Sequence, residues 1–212
     1  MKAIIFDLDG VLCQTDEFHY LAWKAIADEL KIPFDHKINE KLRGVSRMAS
    51  LEIILQKANR TFTDSEKVAL AECKNTIYRK YLDKMTEKDL ASGAKAVLTE
   101  LSEKGLQLAI GSSSKNTQLI VDKLQIADFF IAIIDGNQIK HSKPDPEVFL
   151  LAAQKLELQP ADCLVVEDAE AGVEAAIRGG FQVAGIGSAR ELDRVNYRLN
   201  FLSDLLKIVN RK

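Results

Sequence analysis

Two aspartates stand two residues apart at the end of the first apolar run of the chain, in Met-Lys-Ala-Ile-Ile-Phe-Asp-Leu-Asp-Gly-Val. In extended chain, Asp7 and Asp9 would point the same way. Carboxylates that close repel unless a cation or a shared proton intervenes. Taken alone, the pair is equally an Asp-rich turn at a strand end, with Gly10 making the bend. Three further polar sets sit after later apolar runs. Ser112 opens Ser-Ser-Ser-Lys-Asn (112–116), Lys143 precedes Pro144, and Glu167 is followed by Asp168. Carboxylates with one Lys and one Ser suit a Mg²⁺ ion and a phosphoryl group. Mg²⁺ takes oxygen ligands, a Lys offsets charge on the transferring group, and hydroxyls and loop amides hold phosphate oxygens.

Each set must be placed by an element. Lys2 to Phe6, with β-branched Ile4 and Ile5, reads as a buried strand. Further strands are expected at Leu106–Ile110, Phe130–Ile134, Cys163–Val166 and Gln182–Ile186, alternating with helices at 94–104, 117–124, 146–156 and 170–178. Near-continuous apolar strands alternating with helices predict an α/β fold with a parallel, doubly wound (Rossmann-like) sheet. Ligands bind such sheets beyond the carboxyl ends of the strands, where all four polar sets fall.

Residues 15 to 85 contain no convincing strand. Glu17 to Leu30 has helical spacing, Asn39 to Leu42 can form a turn or two, and Ser46 can cap a helix running to about Ala58. Thr63-Asp64-Ser65-Glu66 is a capping-box pattern for a helix to about Leu82. The expected organisation is a core of residues 1–14 and 90–212 with an inserted all-helical cap domain, 15–89. Polar stretches near 13–16 and 86–92 would link the two parts, and hinge closure over the cleft between them is expected. Arg43, Arg47 and Lys74 would give the insertion an anion site of its own.

Composition narrows the class. The chain has 212 residues, is 47% hydrophobic and carries a formal charge of −2, which gives no reason to expect a nucleic-acid or anionic membrane partner. The odd set of Cys13, Cys73 and Cys163 lacks metal-type spacing, so a reducing cytoplasmic location is the expectation. No apolar run approaches about 18 residues, so no membrane span is expected. A monomer is expected, since no long exposed apolar stripe is evident.

The combination Asp7-Leu8-Asp9-Gly10-Val11, Ser112, Lys143-Pro144 and Glu167-Asp168 resembles the four motifs of the haloacid dehalogenase superfamily across the whole chain, including a cap after the first motif. The resemblance implies Asp7 as nucleophile, forming an aspartyl phosphate, and Asp9 as general acid and base. Ser112 and Lys143 would orient and neutralise the phosphoryl group. Mg²⁺ would be held by the Asp7 side chain, the Asp9 backbone carbonyl, Glu167 and Asp168. Thr15, His19, Trp23, Leu42, Gly44, Val45, Ser46, Arg47, Ser50, Lys74 and Asn75 look like the cap pattern of the β-phosphoglucomutases within that superfamily. That likeness implies that His19 links cap closure to the placing of Asp9, and that Arg47 with the Gly44-Val45-Ser46 loop grips the non-transferring phosphate. Ser113, Ser114, Lys115 and Asn116 belong to the same pattern, the last three holding the other phosphate. Two positions depart from it: Ala91-Ser92-Gly93 lacks a Pro before Gly, and Ser113 replaces a small apolar residue.

The expected reaction interconverts β-D-glucose 1-phosphate and glucose 6-phosphate, with β-glucose 1,6-bisphosphate as phosphoryl donor and intermediate. Small sugar phosphates are the expected partners. The alternative is a Mg²⁺-dependent sugar-phosphate phosphatase. A third reading, a non-catalytic phosphosugar-binding protein, has no use for an intact Asp7 and Asp9.

Overall fold

The computed structural model describes residues 1–210. In chain order the strand β1 (Ala3–Phe6) is followed by helices α1 (Asp16–Glu29), α2 (His36–Glu40), α3 (Arg47–Leu55) and α4 (Asp64–Leu82). Then come α5 (Ala94–Glu103), β2 (Gln107–Gly111), α6 (Thr117–Leu124), β3 (Ala132–Ile134) and α7 (Glu147–Lys155). The chain continues through β4 (Cys163–Glu167), α8 (Glu170–Arg178), β5 (Gln182–Gly185), β6 (Tyr197–Arg198) and α9 (Asp204–Val209).

All six strands form one parallel sheet in the order β3-β2-β1-β4-β5-β6. β1 lies between β2 and β4, so the strand order reverses beside it. A crevice opens at the carboxyl end of such a reversal, and Asp7 is the next residue. Alternate β1 side chains serve opposite layers. Ile4 and Phe6 pack with Val97, Leu101, Ile120 and Leu124 of α5 and α6. Ala3 and Ile5 pack with Phe149 and Ala152 of α7 and with Val173 and Ala176 of α8. The expected doubly wound α/β sheet is therefore present.

The insertion between β1 and α5 is all helical, as its periodicity predicted. It has its own apolar cluster of Trp23, Ile26, Phe34, Leu42, Leu51 and Ile54. Its helix starts follow local chemistry. Thr63 and Glu66 form the capping box of α4, Ser46 accepts from Ala49 N–H, and Asp35 accepts from Ile38 N–H. The base of the insertion is continuous with the core, since Ala22, Tyr78 and Leu82 join the cluster around Leu8 and Leu12. The two connections run side by side: Cys13 bridges to Leu90, and Ala91 N–H donates to the Leu12 carbonyl at 2.8 Å.

Several boundaries differ from the sequence pattern. β3 begins at Ala132 rather than Phe130, because Ala127–Phe129 forms a 3-10 turn. α3 ends at Leu55 rather than near Ala58, and α2 starts earlier, at His36, because Asp35 caps it. The second connection is structured: Thr86 and Asp89 cap a 3-10 turn over Glu87–Asp89. β6 and α9 went unpredicted; two and six residues are too few for a periodicity to register.

Candidate active site

Asp7, Lys143 and Glu167 form a buried chain of charge at the carboxyl ends of β1 and β4. Lys143 Nζ donates to Asp7 Oδ1 at 2.5 Å and to Glu167 Oε1 at 2.6 Å, with the Lys and Glu side chains fully buried. Glu167 Oε2 accepts from the N–H groups of Asp168 (2.8 Å) and Ala169 (2.9 Å). Both Glu167 oxygens are thus engaged. A Cβ on Gly172, at the start of α8, would overlap that carboxylate, so helix and carboxylate can lie this close only with glycine there. Gly10 is in the left-handed region (φ +89°), and a Cβ on it would overlap the Asp168 carboxylate.

The carboxylate oxygens of Asp7, Glu167 and Asp168 lie within 4.8 Å of one another. Burial, then the Glu167 and Asp9 carboxylates, pushes Asp7 up to about 7 despite the pull of Lys143. Burial, then Glu167 and Asp7, pushes Asp168 up to about 9. One lysine does not balance three crowded carboxylates. An oxygen-only donor set with uncompensated negative charge fits a hard divalent cation such as Mg²⁺. Asp9 points elsewhere: Thr15 Oγ1 donates to Asp9 Oδ1, and burial raises the carboxyl.

The β2–α6 loop supplies an anion cradle. Ser112 Oγ accepts from Ser114 N–H at 3.1 Å, which leaves the Ser112 hydroxyl proton free to donate. Ser114 Oγ in turn accepts from Asn116 N–H at 3.2 Å.

Across the cleft, the insertion presents a second set. Lys74 is 2% exposed, lies 2.8 Å from His19 Nδ1, and sits over the rings of Tyr78 (4.3 Å) and Trp23 (5.0 Å). Burial, and then the Arg47 charge, lowers Lys74 to about 7; burial, then Lys74 and Arg47, holds His19 well below its ordinary value. Arg47 donates to Glu72 and to Asn75 Oδ1, each at 2.9 Å, and Asn116 Nδ2 reaches the same Asn75 oxygen at 3.0 Å. Insertion and core therefore meet through Asn75 and Asn116. A cavity of about 530 Å³ lies between the two sets and is lined by both.

A family model described as a haloacid dehalogenase-like hydrolase matches residues 1–180. The chain belongs to the haloacid dehalogenase-like hydrolase family. It is 42% identical over 207 residues to a β-phosphoglucomutase of Bacillus subtilis, covering 97% of this chain and 92% of that protein. It is 27% identical over 185 residues to a phosphorylated carbohydrates phosphatase of Thermotoga maritima, covering 86% and 83%. The crystal structure of β-phosphoglucomutase from Clostridium difficile superposes with a TM-score of 0.93 at 35% identity, covering 99% of this chain and 95% of that one.

In this member of the family, most residues singled out from sequence line one cavity: Asp7, Asp9, His19, Trp23, Leu42, Gly44, Val45, Ser46, Arg47, Ser50, Lys74, Ser112 to Asn116 and Asp168. Thr15, Asn75, Lys143 and Glu167 stand one layer behind, each bonded to a lining residue or its neighbour. Arg43 is not free for an anion. It pairs with Asp16, and its Nη1 lies 3.9 Å from Asp168 Oδ2. Lys140, in the loop after β3, also lines the cavity. The same rule of strand carboxyl ends would have found it, had the pattern after Asp135-Gly136 been followed further.

The buried charge chain gives one prediction for stability. Lys143→Met leaves Asp7 and Glu167 without their cation and costs about 3–5 kcal/mol. Urea unfolding in metal-free buffer measures it. A loss below about 1 kcal/mol would mean that the two carboxylates relieve themselves by sharing a proton.

Proposed function

We infer that the chain is a β-phosphoglucomutase, an isomerase that interconverts β-D-glucose 1-phosphate and glucose 6-phosphate through β-glucose 1,6-bisphosphate. The observation that carries this reading is the pair of facing anion-receptive sets, one in the core and one in the insertion, across a single cavity. A bisphosphate must be held by both ends and turned over; a monophosphate needs one end only. The likeness to the B. subtilis and C. difficile proteins supports the same reaction.

Lys143 binds Asp7 Oδ1, so Oδ2 is the oxygen left to attack phosphorus. The phosphorus–oxygen bond to the sugar breaks as the bond to Asp7 forms. Ser112 and Lys143 hold the phosphoryl oxygens. Asp9, its carboxyl raised by burial, gives its proton to the departing sugar oxygen. After the sugar turns, Asp9 takes a proton from the other hydroxyl, and that oxygen removes the phosphoryl group from Asp7. Arg47 and Lys74 grip the phosphate that is not moving. Helices α1 to α4 act as the cap domain (residues 15–89), and its closure brings Asp9 into place. Mg²⁺ would be held by Asp7, Asp168 and the Asp9 carbonyl, with Glu167 adding mainly charge since both its oxygens are already bonded. When bound, it neutralises charge on the phosphoryl oxygens. Small sugar phosphates are the partners of a monomer acting in the cytoplasm; no helix among the described residues is long and apolar enough to cross a membrane.

The test supplies β-glucose 1-phosphate, Mg²⁺ and catalytic bisphosphate, and follows glucose 6-phosphate and free phosphate separately. Isomer without stoichiometric phosphate is expected. The second reading, a sugar-phosphate phosphatase, rests on the T. maritima relative; phosphate release without isomer would establish it instead. The metal site has its own readout. Millimolar Mg²⁺ raises the thermal midpoint by about 5 °C, a chelator reverses this, and Asp168→Asn abolishes it. A midpoint indifferent to Mg²⁺ would remove the metal from this carboxylate cluster.

A further inference from the structure

Tyr78, on α4, lies where the insertion meets the core, and the reaction as written gives it no task. It is 1% exposed. Its ring stacks on the His19 imidazole, with centroids 4.1 Å apart and planes 33° from parallel. Lys74 Nζ stands 4.3 Å above the same ring. The ring therefore backs both insertion residues nearest Asp9. Its hydroxyl is buried beside Thr15 and Asp9 and has no hydrogen-bond partner. Buried hydroxyls are nearly always paired, because an unpaired one loses its water without compensation. One left unpaired inside a site that must change shape invites the question of which state satisfies it.

Thr15 supplies the answer. Its hydroxyl proton is given to Asp9 Oδ1 in this arrangement. For Asp9 to protonate a sugar oxygen in the cavity, the carboxyl must turn away from Thr15, and the Thr15 proton then loses its acceptor. The closest unsatisfied acceptor is the hydroxyl of Tyr78. We propose that Tyr78 is a positioning residue whose hydroxyl accepts the Thr15 proton when Asp9 turns to the substrate. The exchange conserves the number of hydrogen bonds. In the withdrawn state Thr15 is paired with Asp9 and Tyr78 is unpaired. In the engaged state Thr15 is paired with Tyr78 and Asp9 with the sugar oxygen. Tyr78 thereby lowers the free energy of the engaged state relative to the withdrawn one, without touching substrate. The proposal rests on the acid–base role given to Asp9 above.

The test is a double-mutant cycle on the full-length protein, measured as steady-state isomerisation of β-glucose 1-phosphate. Tyr78→Phe keeps the ring against His19 and Lys74 and removes only the hydroxyl. It lowers kcat about tenfold and moves KM less than about twofold, a fraction of what general acid–base catalysis supplies. Its thermal midpoint does not fall, since the lost hydroxyl had no partner. Thr15→Val removes the proton to be accepted, so adding Tyr78→Phe to it lowers kcat by less than about twofold further. An unchanged kcat in Tyr78→Phe, losses that multiply in the double variant, or a midpoint that falls with kcat would each overturn the proposal. The wild type separates the two ideas. If it releases phosphate without isomer, the isomerase reading fails, and the same cycle is scored on phosphate release, where Asp9 must still protonate the leaving oxygen.

Discussion

Asp7→Asn removes phosphoryl transfer, with a loss of about 10⁴-fold or more, while the fold is retained. The size follows from the chemistry. An amide oxygen has neither the charge nor the basicity to displace a sugar alkoxide from phosphorus, and loss of a covalent nucleophile is among the largest single effects known in enzymes. The retention of fold follows from the surroundings. Asn is isosteric with Asp, and Asp7 is crowded by Glu167 and Asp9, which help push its carboxyl up to about 7. Removing that charge relieves repulsion, while Lys143 keeps its 2.6 Å bond to Glu167. The measurement pairs isomerisation and phosphate release with incorporation of labelled phosphoryl group into the protein. A variant that still acquires label, or that keeps activity within about 100-fold of wild type, would take the nucleophile role from Asp7. A collapsed thermal midpoint would show that the carboxylate mattered mainly to the fold.

What placed Asp7 was legible from residue types alone, since a four-residue apolar strand followed by Asp-x-Asp-Gly can hardly sit anywhere but the centre of a parallel sheet. The same holds for Ser112 after β2 and Glu167 after β4, which each follow a near-continuous apolar run. Division of labour among the carboxylates was not legible. Nothing in Glu167-Asp168 says that the first residue turns inward, takes Lys143 on one oxygen and two backbone N–H groups on the other, while the second faces the cavity. That depends on how tightly α8 approaches β4, which only Gly172 hints at. Tyr78 was hidden for another reason. At its place in α4 an aromatic reads as core, and it is core; its hydroxyl acquires meaning only from Thr15, sixty-three residues earlier in the chain. Arg43 and Arg47 looked alike as the two ends of one basic loop, yet one pairs with carboxylates of the core side and the other with Glu72 and Asn75 of the insertion.

That difference gives the second large effect. Arg47→Ala lowers kcat/KM for isomerisation by about 10²–10³-fold, whereas it changes hydrolysis of a small phosphodonor such as acetyl phosphate far less. Arg47 is poised but partly held: Glu72 draws one nitrogen outward at 2.9 Å, and Asn75 ties the other to Asn116 of the core at one remove. A phosphate on the sugar offers it a doubly charged, bidentate partner, worth more than the half-exposed pair with Glu72. Lys74, lowered to about 7 by burial and by Arg47 itself, gains the same anion as a reason to hold its proton. Loss of Arg47 therefore removes a direct contact to the distant phosphate. It also loosens the Asn75 bridge that ties the insertion to the core. A phosphodonor too short to span the cavity never used either. If Arg47→Ala reduced both reactions equally, its role would be to support the fold of the α3 start, and the insertion would not be what selects sugar over water. If isomerisation alone collapses, selection resides in the insertion, and Asp7 with Asp9 supplies a transfer chemistry that is indifferent to the acceptor.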